Sequence, residues 1–284
     1  MSVVVPTTLD EALAALAANP SAHVLAGGTD LMVEVSFGHR RPTSVVAIDR
    51  ISALKEWRRD EATGEIVIGS GVTYGELEQP DAAAVMPALA QAARTVGSPQ
   101  IRNAATIGGN LGTCSPAGDG LPVLAALGAT IELASLTGRR IVPVGEFMVG
   151  VKRTVRRDDE LIVAVRIPAT EGWQGYSKVG VRNAMVIATT SSCLVVDRLT
   201  RTVRLALGAV GPTVVRATDA ERFAADAVDW DTMTMADPVG TAARFADLAR
   251  GAARPIDDHR STADYRRHAV GVLAGRLLLR AFPQ

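Results

Sequence analysis

The chain has 284 residues, 48% of them hydrophobic, with 30 basic and 30 acidic side chains and a formal net charge of zero. No basic excess is present to neutralise phosphates, so neither nucleic acid nor an anionic membrane is indicated as a partner. Two cysteines are too few for the thiolates of an ordinary iron–sulfur cluster, and His23, His39, His259 and His268 lack zinc-ligand spacing, so no metal of its own is expected. The first residues offer no basic n-region or long apolar stretch, and Arg276 and Arg280 interrupt the most apolar helix candidate. A cytoplasmic chain without a signal peptide or integral membrane segment is expected.

Along the chain, Thr8 and Glu11 predict a capping box for a helix whose apolar stripe is Leu9, Ala12, Leu13 and Leu16, ended by Asn19-Pro20. A short strand at Val24–Ala26 leads into Gly27-Gly28 and a polar helix start at Thr29-Asp30. A second strand follows at Val45–Ile48. Beyond residue 56 the sequence predicts a strand at Glu65–Ile68, a capped helix at Thr73 to Glu76, and a helix from Met86 to Val96 closed by Gly97 and Pro99. A long run of small and polar residues at 106–119 reads as a loop. It is followed by a helix at Leu121–Leu127 and strands at Thr130–Ala134 and Leu161–Ile167. Pro168 to Gly175 is the best boundary. After it come strands at Ile187–Val196 and Thr202–Val210 joined as a hairpin, then helices at Thr218–Ala225, Pro238–Ala249 and Thr262–Phe282. The fold class is α+β.

Two segments could carry chemistry. Ala26-Gly27-Gly28-Thr29-Asp30 sits where a strand gives way to a helix, and backbone N–H groups in such a turn can hold a buried pyrophosphate without cationic side chains. A strand-to-helix turn without a ligand explains the same residues. Thr106-Ile107-Gly108-Gly109-Asn110, continuing through Ser115 to Asp119, is a run of this length without charge repeats, which favours function over disorder. Neither segment meets the Rossmann or P-loop template. Cys114 and Cys193 read as small buried residues, Arg182 as one half of a structural ion pair, and Lys178, on composition alone, as an exposed lysine in a surface loop.

The two motifs, in this order and about 80 residues apart, resemble the FAD-binding medium subunit of molybdenum hydroxylases, the family of the xanthine dehydrogenase flavin domain and the carbon monoxide dehydrogenase medium subunit. The resemblance extends through Asp159-Glu160-Leu161-Ile162, through Tyr176-Ser177-Lys178-Val179-Gly180-Val181-Arg182, and through Pro255 to Arg266. It implies a two-part FAD-binding domain of the vanillyl-alcohol-oxidase/PCMH type over 1–170, with subdomains of about 1–55 and 56–170. A C-terminal domain of antiparallel sheet plus helices would occupy 171–284. It implies that Leu25, Ala26, Gly27, Gly28, Thr29, Asp30 and Leu31 wrap the FAD pyrophosphate and neighbouring atoms, with Thr106, Ile107, Gly108, Gly109 and Asn110 on the other side. Asp119 would meet the sugar or ribityl portion, the Ile162 backbone would lie near the flavin or adenine, and Lys178 would lie near the isoalloxazine. A cation there would stabilise a reduced, anionic ring.

The resemblance also implies an electron-transfer role with no catalytic acid or base. The molybdenum cofactor would sit on a large subunit and [2Fe–2S] clusters on a small one, in a dimer of heterotrimers. Gly-Gly-Thr-Asp is closer to the branch acting on purines, N-heterocycles and aldehydes than to the carbon monoxide branch, which resembles Gly-Gly-His-Ser. The rival expectation is a standalone FAD-dependent oxidase or reductase, for which Ser115 and Glu76 are the candidate residues.

Overall fold

A computed structural model describes residues 1–283. They pack as two compact units: one holds Met1–Leu77, Ser98–Cys114 and Ala129–Ala169, the other Glu78–Gly97, Ser115–Gly128 and the chain from Thr170 onward.

In the first unit, the Thr8 hydroxyl accepts from the Glu11 N–H while the Glu11 carboxylate accepts from the Thr8 and Thr7 N–H groups. This capping box starts the helix Leu9–Ala18. The helix buries Ala12, Leu13 and Leu16 in one cluster with Val46, Ile48, Leu161 and Val163. Beside it is a small parallel sheet in which Ser44–Ala47 lies between Ser2–Val4 and His23–Leu25. A five-stranded antiparallel sheet follows, in the order Trp57–Arg59, Ile66–Gly69, Leu161–Ile167, Thr130–Ser135, Gly138–Pro143. The central strand slips register between Ile162 and Ala164. Such bulges re-aim side chains, here at one of the residues singled out for the cofactor.

Glu160 anchors the start of that central strand. Its carboxylate accepts from Arg140 at 2.7 and 2.8 Å and from the Arg157 N–H at 2.7 Å, with only 1% of the side chain exposed. Burial opposes its ionisation, but the Arg140 pair and the Arg157 amide outweigh it and hold the carboxyl at about 2.

The second unit is built on an antiparallel sheet in the order Gly172–Val179, Thr190–Asp197, Thr202–Gly208, Val215–Arg216. The helices Thr218–Ala227, Pro238–Ala252 and Ala263–Ala281 pack with it around Leu194, Leu205, Phe245 and Leu277. Arg266 is buried there, donating to the Thr189 and Ala209 carbonyls at 2.6 and 3.0 Å and to Asp258 at 2.7 Å.

Three expectations need correction. The loop read over 106–119 contains a helix, Ile107–Thr113, despite its three glycines. The Thr106 hydroxyl caps it, and burial of Ile107 and Leu111 stabilises it. The boundary segment is shorter than predicted, because Gly172–Val179 is a sheet edge paired along its whole length with Thr190–Asp197. Among the described residues Arg182 forms no ion pair; it donates to the carbonyls of Ala184 and Met185.

A carboxyl whose folded pKa is depressed adds stability that is complete above its unfolded value and drains as pH falls toward the folded one. For Glu160 that window runs from 4.5 down to about 2. Glu160→Gln is therefore expected to be less stable than wild type at neutral pH and to flatten the stability profile in that window. Urea unfolding at stepped pH measures this, and parallel profiles for the two proteins would contradict it.

Candidate functional site: two glycine loops and a buried ion pair

In the first unit, strand His23–Leu25 ends in the turn 26–30, and the short helix Leu31–Ser36 follows. Gly28 has φ of 72°, the left-handed region that favours glycine. Gly27 answers a different need: a Cβ there would lie 1.6 Å from the Ala104 carbonyl oxygen. That contact lays the first loop against the residues just before Thr106. Among the described residues, the N–H groups of Gly27, Gly28, Thr29 and Asp30 find no acceptor in the protein. Gly27 to Thr29 are half-buried, so these are donors that a ligand can use. Asp30 stands at the helix start but does not cap it. Its carboxylate accepts instead from the Thr113 hydroxyl at 3.3 Å.

The second loop spends its amides internally. Gly109 N–H donates to Thr106 Oγ1 at 2.9 Å, Asn110 N–H to the Thr106 carbonyl at 3.0 Å, Ile107 N–H to Val72 and Gly108 N–H to Ser70. A Cβ on Gly108 would come within 2.6 Å of the Ser70 carbonyl oxygen, so this glycine too serves close backbone packing. The Asn110 carboxamide behaves differently. Its Oδ1 is buried and has no hydrogen-bond partner among the described residues. An unpaired buried amide group costs about 1–3 kcal/mol, a debt that a ligand group can cancel. Ile162 joins this neighbourhood: its Cδ1 would lie 3.8 Å from a Cβ on Gly112, and the Ser70 N–H reaches the adjoining Val163 carbonyl at 2.9 Å. Leu25 to Leu31, Thr106 to Asn110 and Ile162 thus belong to one packed unit.

Asp119 and Lys178 belong to the second unit. Lys178 is no surface-loop lysine. It lies on the strand Gly172–Val179 with 6% of its side chain exposed, 2.7 Å from Asp119 Oδ2 and 3.1 Å from the Thr95 carbonyl oxygen. Tyr176 donates its hydroxyl to Asp119 Oδ1 at 2.8 Å. Burial raises the Asp119 carboxyl above its ordinary range, against the opposing pull of Lys178 and Tyr176. The Tyr176 phenol is pushed well up by burial and by the Asp119 charge. The charge of Lys178 therefore has a counter-ion inside the protein.

The remaining candidates are buried or engaged in local hydrogen bonds. Cys114 and Cys193 are free and buried, and burial raises both thiols, which leaves them unreactive. Glu76 accepts from the Thr73 N–H and hydroxyl as a helix cap, and the Ser115 hydroxyl accepts from the Ala117 N–H.

Residues 1–170 match the FAD binding domain in molybdopterin dehydrogenase, and residues 176–281 match the CO dehydrogenase flavoprotein C-terminal domain. The chain belongs to this flavoprotein family. It is 33% identical over 227 residues to the putative xanthine dehydrogenase FAD-binding subunit of Escherichia coli (strain K12), covering 78% of this chain and 77% of that one. It is 30% identical over 280 residues to the carbon monoxide dehydrogenase medium chain of Hydrogenophaga pseudoflava, covering 96% and 94%. Among solved structures, carbon monoxide dehydrogenase from Hydrogenophaga pseudoflava superposes with a TM-score of 0.88 at 29% identity, covering 99% of this chain and 96% of that one. Quinoline 2-oxidoreductase from Pseudomonas putida 86 gives 0.88 at 27% identity with the same coverage. The flavoprotein is thus an FAD-binding oxidoreductase subunit of mixed helix and sheet.

FAD fits the residues present. The four free amides of the first loop suit a pyrophosphate, and the unpartnered Asn110 group suits a hydroxyl or amine of the same molecule. Tyr176 is a member of the Asp119 and Lys178 cluster that the sequence does not announce: its bond to Asp119 spans 57 positions, a separation no local pattern signals.

Removing one partner of a buried ion pair strands the other's charge, at a cost of about 3–5 kcal/mol. Lys178→Met is therefore expected to destabilise the second unit by that order. The double substitution Lys178→Met with Asp119→Asn should regain most of the loss. Denaturant unfolding of the three variants measures it, and an additive double mutant would show that the two side chains act independently.

Proposed function

We propose that this chain is the FAD-carrying electron-transfer subunit of a molybdenum-containing hydroxylase or dehydrogenase complex. The observation that supports this most is the first-loop turn, whose four N–H groups lack protein acceptors, packed against the segment that leads to the unpartnered Asn110. In this reading the backbone of Leu25 to Leu31 holds the pyrophosphate and its neighbouring atoms, while Thr106 to Asn110 approach from the other side. The Ile162 backbone contributes beside the bulge. Asp119 is assigned to the sugar or ribityl portion and Lys178 to the isoalloxazine through the family resemblance. The functional division follows the sequence, with an FAD-binding part of the vanillyl-alcohol-oxidase/PCMH type over 1–170 and a C-terminal flavoprotein part over 171–284.

The chemistry FAD supplies when bound is reversible electron uptake. That places the subunit between the [2Fe–2S] clusters of a small partner and an external acceptor, with the molybdenum cofactor on a large partner, in a cytoplasmic dimer of heterotrimers. Relatives named for xanthine, nicotinate and nicotine and the quinoline enzyme stand beside those named for carbon monoxide. With Gly-Gly-Thr-Asp in the first loop, we assign the complex to the xanthine, aldehyde and N-heterocycle side. The protein's own part is to bind and orient the cofactor. Among the described residues no helix is long and apolar enough to cross a membrane.

Asn110→Ala tests the site directly, because Oδ1 has no protein partner to lose. The apo chain should lose no stability, while FAD, followed by quenching of flavin fluorescence, should bind about tenfold more weakly, the factor that corresponds to one good hydrogen bond. Unchanged FAD affinity would remove Asn110 from the site. For the larger reading, affinity purification of the tagged chain from its native host should bring down a molybdenum subunit and an iron–sulfur subunit. A chain that purifies alone and is bleached directly by an organic substrate would overturn it.

A further inference from the structure

The first loop has a weakness that its sequence conceals. The helix that follows it, Leu31–Ser36, has no buried residue, so core packing does not fix it. It also brings two carboxylates, Asp30 and Glu34, close to the turn whose N–H groups are free. Like charge near an anionic pyrophosphate disfavours binding. A free Asp at a helix start would ordinarily turn its carboxylate onto the first amides of the helix.

Asp30 makes no such cap, and one side chain stands where it holds both carboxylates. Lys152 occupies the tip between strands Met148–Gly150 and Arg153–Thr154, with φ of 53°. Its ammonium bonds Glu34 and lies 3.9 Å from Asp30 Oδ2. Its backbone N–H donates to the Cys114 carbonyl at 3.1 Å, at the end of the helix Ile107–Thr113. One residue therefore ties the helix that follows the first glycine loop to the helix that carries the second glycine pair. The other groups facing the cluster are Arg40, which pairs with Glu34, and the Thr113 hydroxyl, which donates to Asp30.

The geometry points to Lys152 as a positioning residue for the cofactor cradle: it draws Asp30 and Glu34 off the first loop, offsets their charge, and thereby keeps the Gly27–Asp30 amides open to an anionic dinucleotide. This inference rests on the reading that the first loop holds the FAD pyrophosphate. Lys152 need not touch the cofactor, and its side chain acts through the two carboxylates. The tether is half-exposed, with 41% of the Lys152 side chain accessible, so salt should weaken it.

The test uses the full chain and measures FAD affinity by quenching of flavin fluorescence, with unfolding of the apo form as a control. Lys152→Met keeps the length of the apolar stem and the backbone demand at this position but removes the charge. It is expected to weaken FAD binding about tenfold, and Lys152→Arg should restore most of the affinity. Adding Asp30→Asn and Glu34→Gln to Lys152→Met should also restore affinity, because the charges needing a counter-ion are then gone. A residue that merely supports the hairpin would give no such rescue. Wild-type affinity in Lys152→Met, or a loss that the added substitutions leave unrepaired, would overturn the proposal. Should Gly27→Ala, which crowds the loop itself, bind FAD as wild type does, the underlying reading of the first loop would fail separately.

Discussion

The contact on which the first unit's site depends is between backbones: the α-carbon of Gly27 lies so close to the Ala104 carbonyl that no β-carbon could stand between them. Through that contact, two loops about 80 residues apart in the chain become one surface. Gly108 makes the same concession toward Ser70. Of the four paired glycines, two are thus explained by main chain packing on main chain, and Gly28 by its left-handed conformation. The cradle is consequently stiff on one side, where the second loop's amides are satisfied internally, and open on the other, where the first loop's are not. A site made this way presents dipoles in place of charges, which suits a cofactor that must be held through changes in its own charge.

The second unit manages its polar residues differently. Lys178, Asp119 and Tyr176 form a closed set in which each charge or hydroxyl has a partner, and burial raises the stakes of every bond in it. A lone lysine would present a full positive charge to its surroundings. One paired at 2.7 Å with a carboxylate presents mainly a dipole. Any influence of Lys178 on a flavin's electronics must therefore be judged for the pair, with Tyr176 setting how firmly Asp119 is held. The same closure gives each of the three side chains a partner within the cluster.

The sequence revealed most where burial was one-sided and periodic. The helix Leu9–Ala18, the central strand Leu161–Ile167 and the final helix all follow the apolar pattern, and the capping boxes at Thr8 and Thr73 are formed as their residues suggest. Among the strands that the sequence did not announce, Trp57–Arg59, Gly138–Pro143 and Gly172–Val179 are sheet edges. Edge strands carry polar residues and glycine, so their composition imitates a loop. The helix Ile107–Thr113 was hidden for the opposite reason, since its glycines lower local propensity while the packing around Ile107 and Leu111 overrides it. The glycine loops were visible as motifs, but what each glycine accommodates is a long-range contact. Lys152 left no trace, because nothing near it in sequence announces Asp30 or Glu34.

The order in which the chain visits its two units has a consequence for how the protein comes into being. It passes between them after Leu77, Gly97, Cys114, Gly128 and Ala169. The first 128 residues therefore contain two pieces of the second unit, Glu78–Gly97 and Ser115–Gly128, whose sheet is built only from later residues. Their apolar faces, including Leu89, Leu121 and Leu124, stay uncovered until the strands beyond Thr170 emerge. Contacts so distant in sequence are closed late and slowly. Assembly is thus a race between synthesis and aggregation, and a protein cut near residue 170 would strand these same two segments.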